Sequence, residues 1–429
     1  MKYYNAPPAE RWRTGVIKKI PVSELKAGMC VADMESTVWK HAPFLYTTPG
    51  FVREEDLPRI RTSGSLEVFI DTSKGLEGEP AGDLSEEERL GRLIQDPEQH
   101  RDWNATLRVP MHEELPRAHR RYKAVLECAR RVTECLAARR PVAPAEAEDA
   151  VEEIVDSVAR NPGALLCLSK LHRYDRYPLT HAANVCGLAV LFGLFVGLSR
   201  ERVVELGLAG LLHDVGMVLM PQEVLSRRGP LSRDELELMR AHPTHGRRLL
   251  AQAGGFSPAV LRAVVEHHEQ HNGLGYPQGL RGDQISQAGR MLAMCDVFDA
   301  MTSDRSYMKA SAPSKALAIM YGMRGQNFVA AEADLFIKCL GIYPPGSLVR
   351  LNSGDMAVVY GSNPDKPLLP LVNVILDRRL RPREPRLLDL AALPPDDQGR
   401  PRIKIIECLN PLNYMFDLRR LLGVELVPA

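Results

Sequence analysis

The chain has 429 residues, too many for one ordinary core, so two or three structural units are expected. Hydrophobic residues make up 45% and charged residues 25%, which excludes a disordered chain. With 55 Lys and Arg against 54 Asp and Glu the formal charge is +1. That balance argues against a nucleic-acid polymer or an anionic membrane as partner, because both need a basic excess.

The start, MKYYNAPPAERWR, is polar and lacks the apolar core of a signal peptide. Residues 1–76 read as a small α+β domain. A strand, a turn at Lys26-Ala27-Gly28 and a second strand are followed by a helix over Glu54–Ser63 and an alternating strand in SLEVFIDTS. Residues 77–117 are broken by Gly and Pro and read as linker, with a capping box at Ser85 and Glu88. A connecting helix occupies 118–145, periodic to Arg139 and stopped by Pro141 and Pro144, and a second helix runs over about 145–160. The stretch 146–340 is helical by period, with helix starts at Ser232…Glu235 and Ser257-Pro258. Its most apolar run, Val185–Leu198, is about 14 residues against the roughly 20 of a membrane span, so a buried core helix is expected. Residues 341–429 form a β-rich extension: SLVRLNSGDMAVVYG is a hairpin about Ser353-Gly354-Asp355, and PLVNVILD and RIKIIECL are further strands. The eight cysteines form no CxxC pair and lie mostly in apolar surroundings, the usage of a cytoplasmic protein.

Eight of the 12 histidines fall between His172 and His271, where even scatter would place about three. His213-Asp214 closes the apolar helix VVELGLAGLLHD; further candidates are His181 on an upstream helix, His242, the pair His267-His268, and Asp296 after the apolar run RMLAMC. Imidazole and carboxylate ligands without thiolates suit Fe, Mn, Zn or Ni and argue against a structural zinc site.

The ordered set His181, His213-Asp214, His242, His267-His268-Glu269, Gly275-Tyr276-Pro277 and Asp296 resembles the HD-GYP domain, a branch of the HD phosphohydrolases that hydrolyses cyclic di-GMP. The resemblance covers roughly 150–340. Residues 15–76, with SELKAGM, the Trp39, His41, Pro43 and Phe44 cluster and FIDTSKG, are similar to an accessory domain often found before it. The implied architecture is multidomain: a small α+β N-terminal domain, an all-α HD-type helical domain and a small β-rich C-terminal segment.

The resemblance also implies roles. His181, His213, Asp214 and Asp296 would hold one divalent transition metal ion, with Asp214 bridging to a second held by His242, His267 and His268. A metal-bridging hydroxide would attack cyclic di-GMP to give linear pGpG and then GMP. His213 and Asp214 form the catalytic core of that scheme. Gly275, Tyr276, Pro277, Arg305 and Lys309 would contact substrate. A third metal in some members uses a Glu four residues before the first His; Tyr177 stands there, so two ions, Fe or Mn foremost, are expected.

The family's HDxGK ends here in Met217, and the basic stretch after Arg305 reads Ser306-Tyr307-Met308 before Lys309. Phosphate contacts are therefore thinned while metal ligands are intact, and reduced activity is the corresponding expectation. Plainer readings stand beside these. His245 and His271 fit no ligand slot, Tyr276 can be a packed loop aromatic, and the Arg pairs at 120–121, 130–131 and 139–140 form a solvated helix face. Glu269 either orients a neighbouring His or acts in the chemistry. Two functions follow: a phosphodiesterase that lowers the messenger, or a degenerate module that binds metal and nucleotide and docks GGDEF-domain proteins. A third is an HD phosphohydrolase for another nucleotide. A homodimer through the 118–139 helix is a candidate assembly.

Overall fold

The computed structural model describes residues 17–21, 25–26, 29–33, 50–51, 67–71, 109–171, 177–225, 227, 229, 231–303, 310–363 and 365–409. Two compact units are separable, one carrying the N-terminal strands together with residues 226–236, the other the rest of the helical bundle and a second sheet.

In the first unit, β1 (Ile17–Pro21), β2 (Cys30–Asp33), β3 (Gly50–Phe51) and β4 (Glu67–Asp71) form an antiparallel sheet of order β1-β4-β2-β3. β4, the alternating SLEVFIDTS run, pairs with β1 from Ile17↔Asp71 to Pro21↔Glu67 and with β2 on its other side. The helix expected over 54–63, the Ser85 and Glu88 box, and the Trp39 to Phe44 cluster lie outside the described residues.

The helical unit opens with α1 (Met111–Ala137), which begins seven residues before the expected Ala118. Pro116 lies inside it: the proline forfeits only the hydrogen bond to the exposed His112 carbonyl, so the periodic apolar face (Leu115, Ala118, Tyr122, Val125) overrides it. α2 (Pro144–Arg160) packs on α1, tied by Glu114, whose buried carboxylate accepts from Arg160 Nε at 2.8 Å and Ser157 Oγ at 2.7 Å. Then come α3 (Pro162–Leu171), α4 (Tyr177–Phe195), α5 (Arg200–Leu212), a 3₁₀ turn (Val215–Leu219), α6 (Gln222–Leu225) and α7 (Arg233–Met239). They are followed by α8 (His242–Ala253), α9 (Pro258–Glu266), α10 (Gln287–Thr302), α11 (Pro313–Gly322) and α12 (Ala330–Leu340).

The expected starts are present: Glu235 N donates to Ser232 Oγ while Ser232 N donates to the Glu235 carboxylate, and Ser257 Oγ accepts from Val260 N. α4 is apolar on all sides and therefore central. Among the described residues it is the one helix long and apolar enough to cross a membrane, yet 78% of Pro178–Phe195 is buried inside the protein. Phe192, Phe298 and Phe336 meet edge to face across α4, α10 and α12, at centroid separations of 5.1 and 5.9 Å.

The second sheet is antiparallel, in the order β8-β7-β6-β5-β9, with β5 (Leu348–Leu351), β6 (Met356–Gly361), β7 (Leu371–Leu376), β8 (Pro382–Asp389) and β9 (Ile405–Leu409). β5 and β6 form the hairpin expected about Gly354. β8 was not legible: PREPRLLD is polar, carries two prolines and does not alternate, and it survives as a strand because it lies at the sheet edge, where missing donors cost nothing. A cavity of about 470 Å³ lies where sheet and helices meet, lined by Met111, Leu191, Leu340 and Tyr360 among others; no candidate ligand lines it.

Candidate metal centre

Four helix ends and two helix faces converge on one point. His213 caps the C-terminus of α5 and His267 that of α9. The last carbonyls of a helix lack intrahelical donors, and here they aim the imidazoles. His213 Nδ1–H donates to Gly210 O at 2.8 Å, His267 Nδ1–H to Val264 O at 2.7 Å, and His242, following α7, to Met239 O at 2.7 Å. Each bond spans three residues, so each of these histidines is aimed by the last turn of the helix it ends or follows. In the neutral ring this fixes the tautomer with the Nε2 lone pair free.

Those lone pairs meet. His242 Nε2 and His267 Nε2 are 3.3 Å apart, and so are His213 Nε2 and His181 Nε2. With Nδ1–H committed to carbonyls, neutral His242 and His267 have no proton to share across that gap, so a cation belongs there. Two ligand groups result, each with ligand atoms within 4.8 Å of one another: Asp214, His242, His267 and His268, and His181, His213 and Asp296. Both carboxylates reach across. Asp214 Oδ1 is 3.2 Å from His242 Nε2 while its Oδ2 is 3.4 Å from His213 Nε2. Asp296 Oδ1 is 3.1 Å from His181 Nε2 and its Oδ2 is 3.7 Å from His268 Nδ1, a buried nitrogen with no hydrogen-bond partner. The donor set therefore fits a pair of transition-metal ions.

A close approach positions Asp214. A Cβ on Gly216 would come within 2.0 Å of the His242 carbonyl oxygen, so the 3₁₀ turn lies directly on the start of α8. On the other side, Glu266 accepts from Ser286 N, the N-cap of α10, at 2.8 Å, fixing the helix that carries Asp296.

The electrostatics differ across the centre. Burial opposes charge on His181, but hydrogen bonds to Asp296 and Asp299 raise it to about 10. Burial also opposes charge on His213, which Asp214 nonetheless raises. Burial, with neighbouring imidazoles, holds His267 well below the usual range and His268 at about 3. Although burial pushes carboxylates up, His213 and His242 hold Asp214 well below its ordinary range, and His181 and His268 do so for Asp296. Both acids stay ionised, as ligands must.

Tyr276 stacks on His268 (centroids 4.6 Å, 32°), and its N–H donates to His268 O at 3.1 Å. Gly275 fits because a Cβ there would meet Gln270 N at 2.4 Å. Pro277 is exposed beside Tyr276. Glu269 neither orients a ligand histidine through its carboxylate nor faces the centre by its described bonds. It clasps the GYP loop, accepting from Gln278 N at 2.6 Å and Leu280 N at 2.9 Å. His245 and His271 stand outside both ligand groups. Arg305, Met308 and Lys309 lie outside the described residues.

Two residues escaped the sequence reading. Arg240, exposed, holds its Cζ 5.4 Å from the Tyr276 ring centroid at the mouth of the centre. Its signal was its place two residues before His242. Asp299, fully buried, accepts from His181 Nδ1–H at 2.8 Å. Its signal was a second acid three residues after Asp296 in an otherwise apolar run, which puts both on one helix face.

A helical bundle with this paired His/Asp set is an HD domain, and a family description of that name matches residues 166–330. A domain of unknown function (DUF3391) matches residues 17–147. A cyclic di-GMP phosphodiesterase of Pseudomonas aeruginosa is 36% identical over 87% of this chain and 89% of its own length. A cyclic di-GMP phosphodiesterase response regulator of Xanthomonas campestris is 40% identical over 33% of the chain and 38% of its own. A 3'3'-cGAMP-specific phosphodiesterase of Vibrio cholerae is 32% identical over 37% and 36%. The chain belongs to the HD-GYP family of HD-domain phosphodiesterases, with that family's accessory domain before it.

Proposed function

We propose that this protein hydrolyses cyclic di-GMP, opening the ring to linear pGpG and cleaving that further to GMP. The observation that carries the reading is the joining of the two ligand groups by Asp214 and Asp296, each with one oxygen toward either group. His181, His213 and Asp296 would hold one ion and His242, His267 and His268 the other, with Asp214 between them. Two such ions acidify water and neutralise charge on a phosphoryl group. The chain's own residues do the rest. Asp214, 31% exposed, is the ligand open to solvent and marks the side from which a phosphodiester arrives. Tyr276, stacked on His268 beside the Glu269 clasp, carries the Arg240 guanidinium over its ring, and the two would meet the nucleotide at the mouth. Met217, half-buried on the turn after Asp214, adds no charge, so Arg240 supplies anion contact at the mouth. The long match to a cyclic di-GMP phosphodiesterase supports this substrate over 3'3'-cGAMP, whose named relative aligns over a third of the chain.

The test is hydrolysis of each dinucleotide by protein loaded with Fe(II) or Mn(II), products separated by chromatography. Faster conversion of cyclic di-GMP to pGpG is expected. Preference for 3'3'-cGAMP would reassign the substrate. A second reading, a docking module for GGDEF-domain proteins, is favoured by Met217; it requires bound metal and nucleotide without product.

A further inference from the structure

His213, His242 and His267 are aimed by backbone carbonyls three residues back, but the Nδ1 of His181 faces a carboxylate from another helix. That carboxylate is itself held. Asp299 Oδ1 accepts from Asn184 Nδ2 at 3.0 Å, and its Oδ2 accepts from Ser303 Oγ at 3.1 Å besides His181 Nδ1–H. Asn184 is held in turn, its Oδ1 accepting from the Tyr122 hydroxyl at 2.6 Å. That bond decides the amide orientation: with Oδ1 taken by Tyr122, Nδ2 points at the acid, whereas a flipped amide would set oxygen against carboxylate. Two i,i+3 pairs create the geometry, His181 with Asn184 on α4 and Asp296 with Asp299 on α10. Tyr122, Asn184 and Asp299 are all buried, at 1%, 4% and 0% exposure, where such bonds are strong and costly to leave unmade.

We propose that Tyr122, Asn184 and Asp299 form a positioning relay that orients His181 and sets the affinity of the cation held by His181, His213 and Asp296 separately from its neighbour. The inference rests on the two-ion reading but not on the identity of the substrate. A carboxylate on the far nitrogen locks an imidazole ligand and strengthens it as a donor. His213, His242 and His267 draw on neutral carbonyls, so the relay acts on one ion of the pair. It begins on α1, inside the stretch 17–147 matched by the accessory domain, and ends in the stretch 166–330 matched by the HD domain.

The test is Mn(II) titration of the chelator-treated full chain, followed by calorimetry, elemental analysis and electron paramagnetic resonance, with no nucleotide present. Asp299→Asn should weaken one of two binding steps about 10- to 100-fold and leave the other unchanged. At subsaturating metal the signal of a coupled pair should give way to that of an isolated ion. Tyr122→Phe, which keeps the ring's volume, should weaken the same step less, and the double variant should be no worse than Asp299→Asn alone. Should Asp299→Asn fail to fold, Tyr122→Phe decides the matter by its effect on one step. Both steps weakening together, no step weakening, or additive losses in the double variant would overturn the relay. A parent protein that takes up fewer than two ions overturns the two-ion reading, and the relay with it.

Discussion

Around Asp214, at the rim of the metal centre, carbonyls three residues back aim His213, His242 and His267, whereas at the deep end a carboxylate from α10, held in turn through α1, aims His181. The rim is mostly a set of local devices: carbonyls three residues back and a loop hung on the His268 carbonyl. The deep end is a set of long-range bonds, between partners 118, 115 and 62 residues apart in sequence. Local devices form as soon as their helix ends form. Long-range ones exist only when α1, α4 and α10 are packed, so the deep end reports the state of the whole bundle.

Asp214 touches both ends, so its loss has the largest effect. Asp214→Ala should lower turnover by on the order of a thousandfold and reduce metal content. Full metal content by elemental analysis would remove Asp214 from the ligand set. Next is the rim's turn: Gly216→Ala must move backbone against the His242 carbonyl, and a loss of about 3 kcal/mol in urea unfolding is expected. An unchanged midpoint would show that the turn yields freely.

At the other end, Glu114→Gln strikes the anchor of α1. Burial opposes its charge, yet hydrogen bonds from Arg160 and Ser157 hold the folded carboxyl below its ordinary 4.5. A depressed folded value gives stability that is present above the unfolded value and lost as pH falls through the folded one. The variant should therefore cost about 3 kcal/mol at pH 7. Its deficit against the parent should shrink in melts taken progressively below pH 4.5. A deficit independent of pH would point to lost packing instead.

Much of the rim was legible because its signals are short. His213-Asp214, His267-His268 and Gly275-Tyr276-Pro277 are contiguous, and apolar periodicity places His213-Asp214 at a helix end. The deep end was not legible beyond His181 and Asp296, because Tyr122 and Asn184 read as one core aromatic and one polar residue in apolar helices. Only packing joins them. The same logic covers the fold. The β5–β6 hairpin carries its turn chemistry at Gly354, whereas β8 is a strand only because β7 offers an edge. The early start of α1 was hidden by Pro116, a local signal overruled by burial of Leu115 and Tyr122.

Two smaller effects sharpen the rim. Arg240→Ala should raise KM for cyclic di-GMP about tenfold with kcat nearly kept, the loss of one charge-assisted contact. An equal fall in kcat would place Arg240 in the chemical step. Met217→Lys should raise turnover a few-fold, on the order of 1 kcal/mol, at constant metal content. A lower rate would show that the turn, not missing charge, governs that position.

The most direct test of the account is turnover of cyclic di-GMP measured against metal ions per chain, as chelator-treated protein is titrated with Mn(II). Turnover that stays near zero through the first equivalent and rises with the second is the predicted result, since Asp214 and Asp296 tie the two ligand groups into one device. Full turnover at one ion per chain, or none at two, would contradict it.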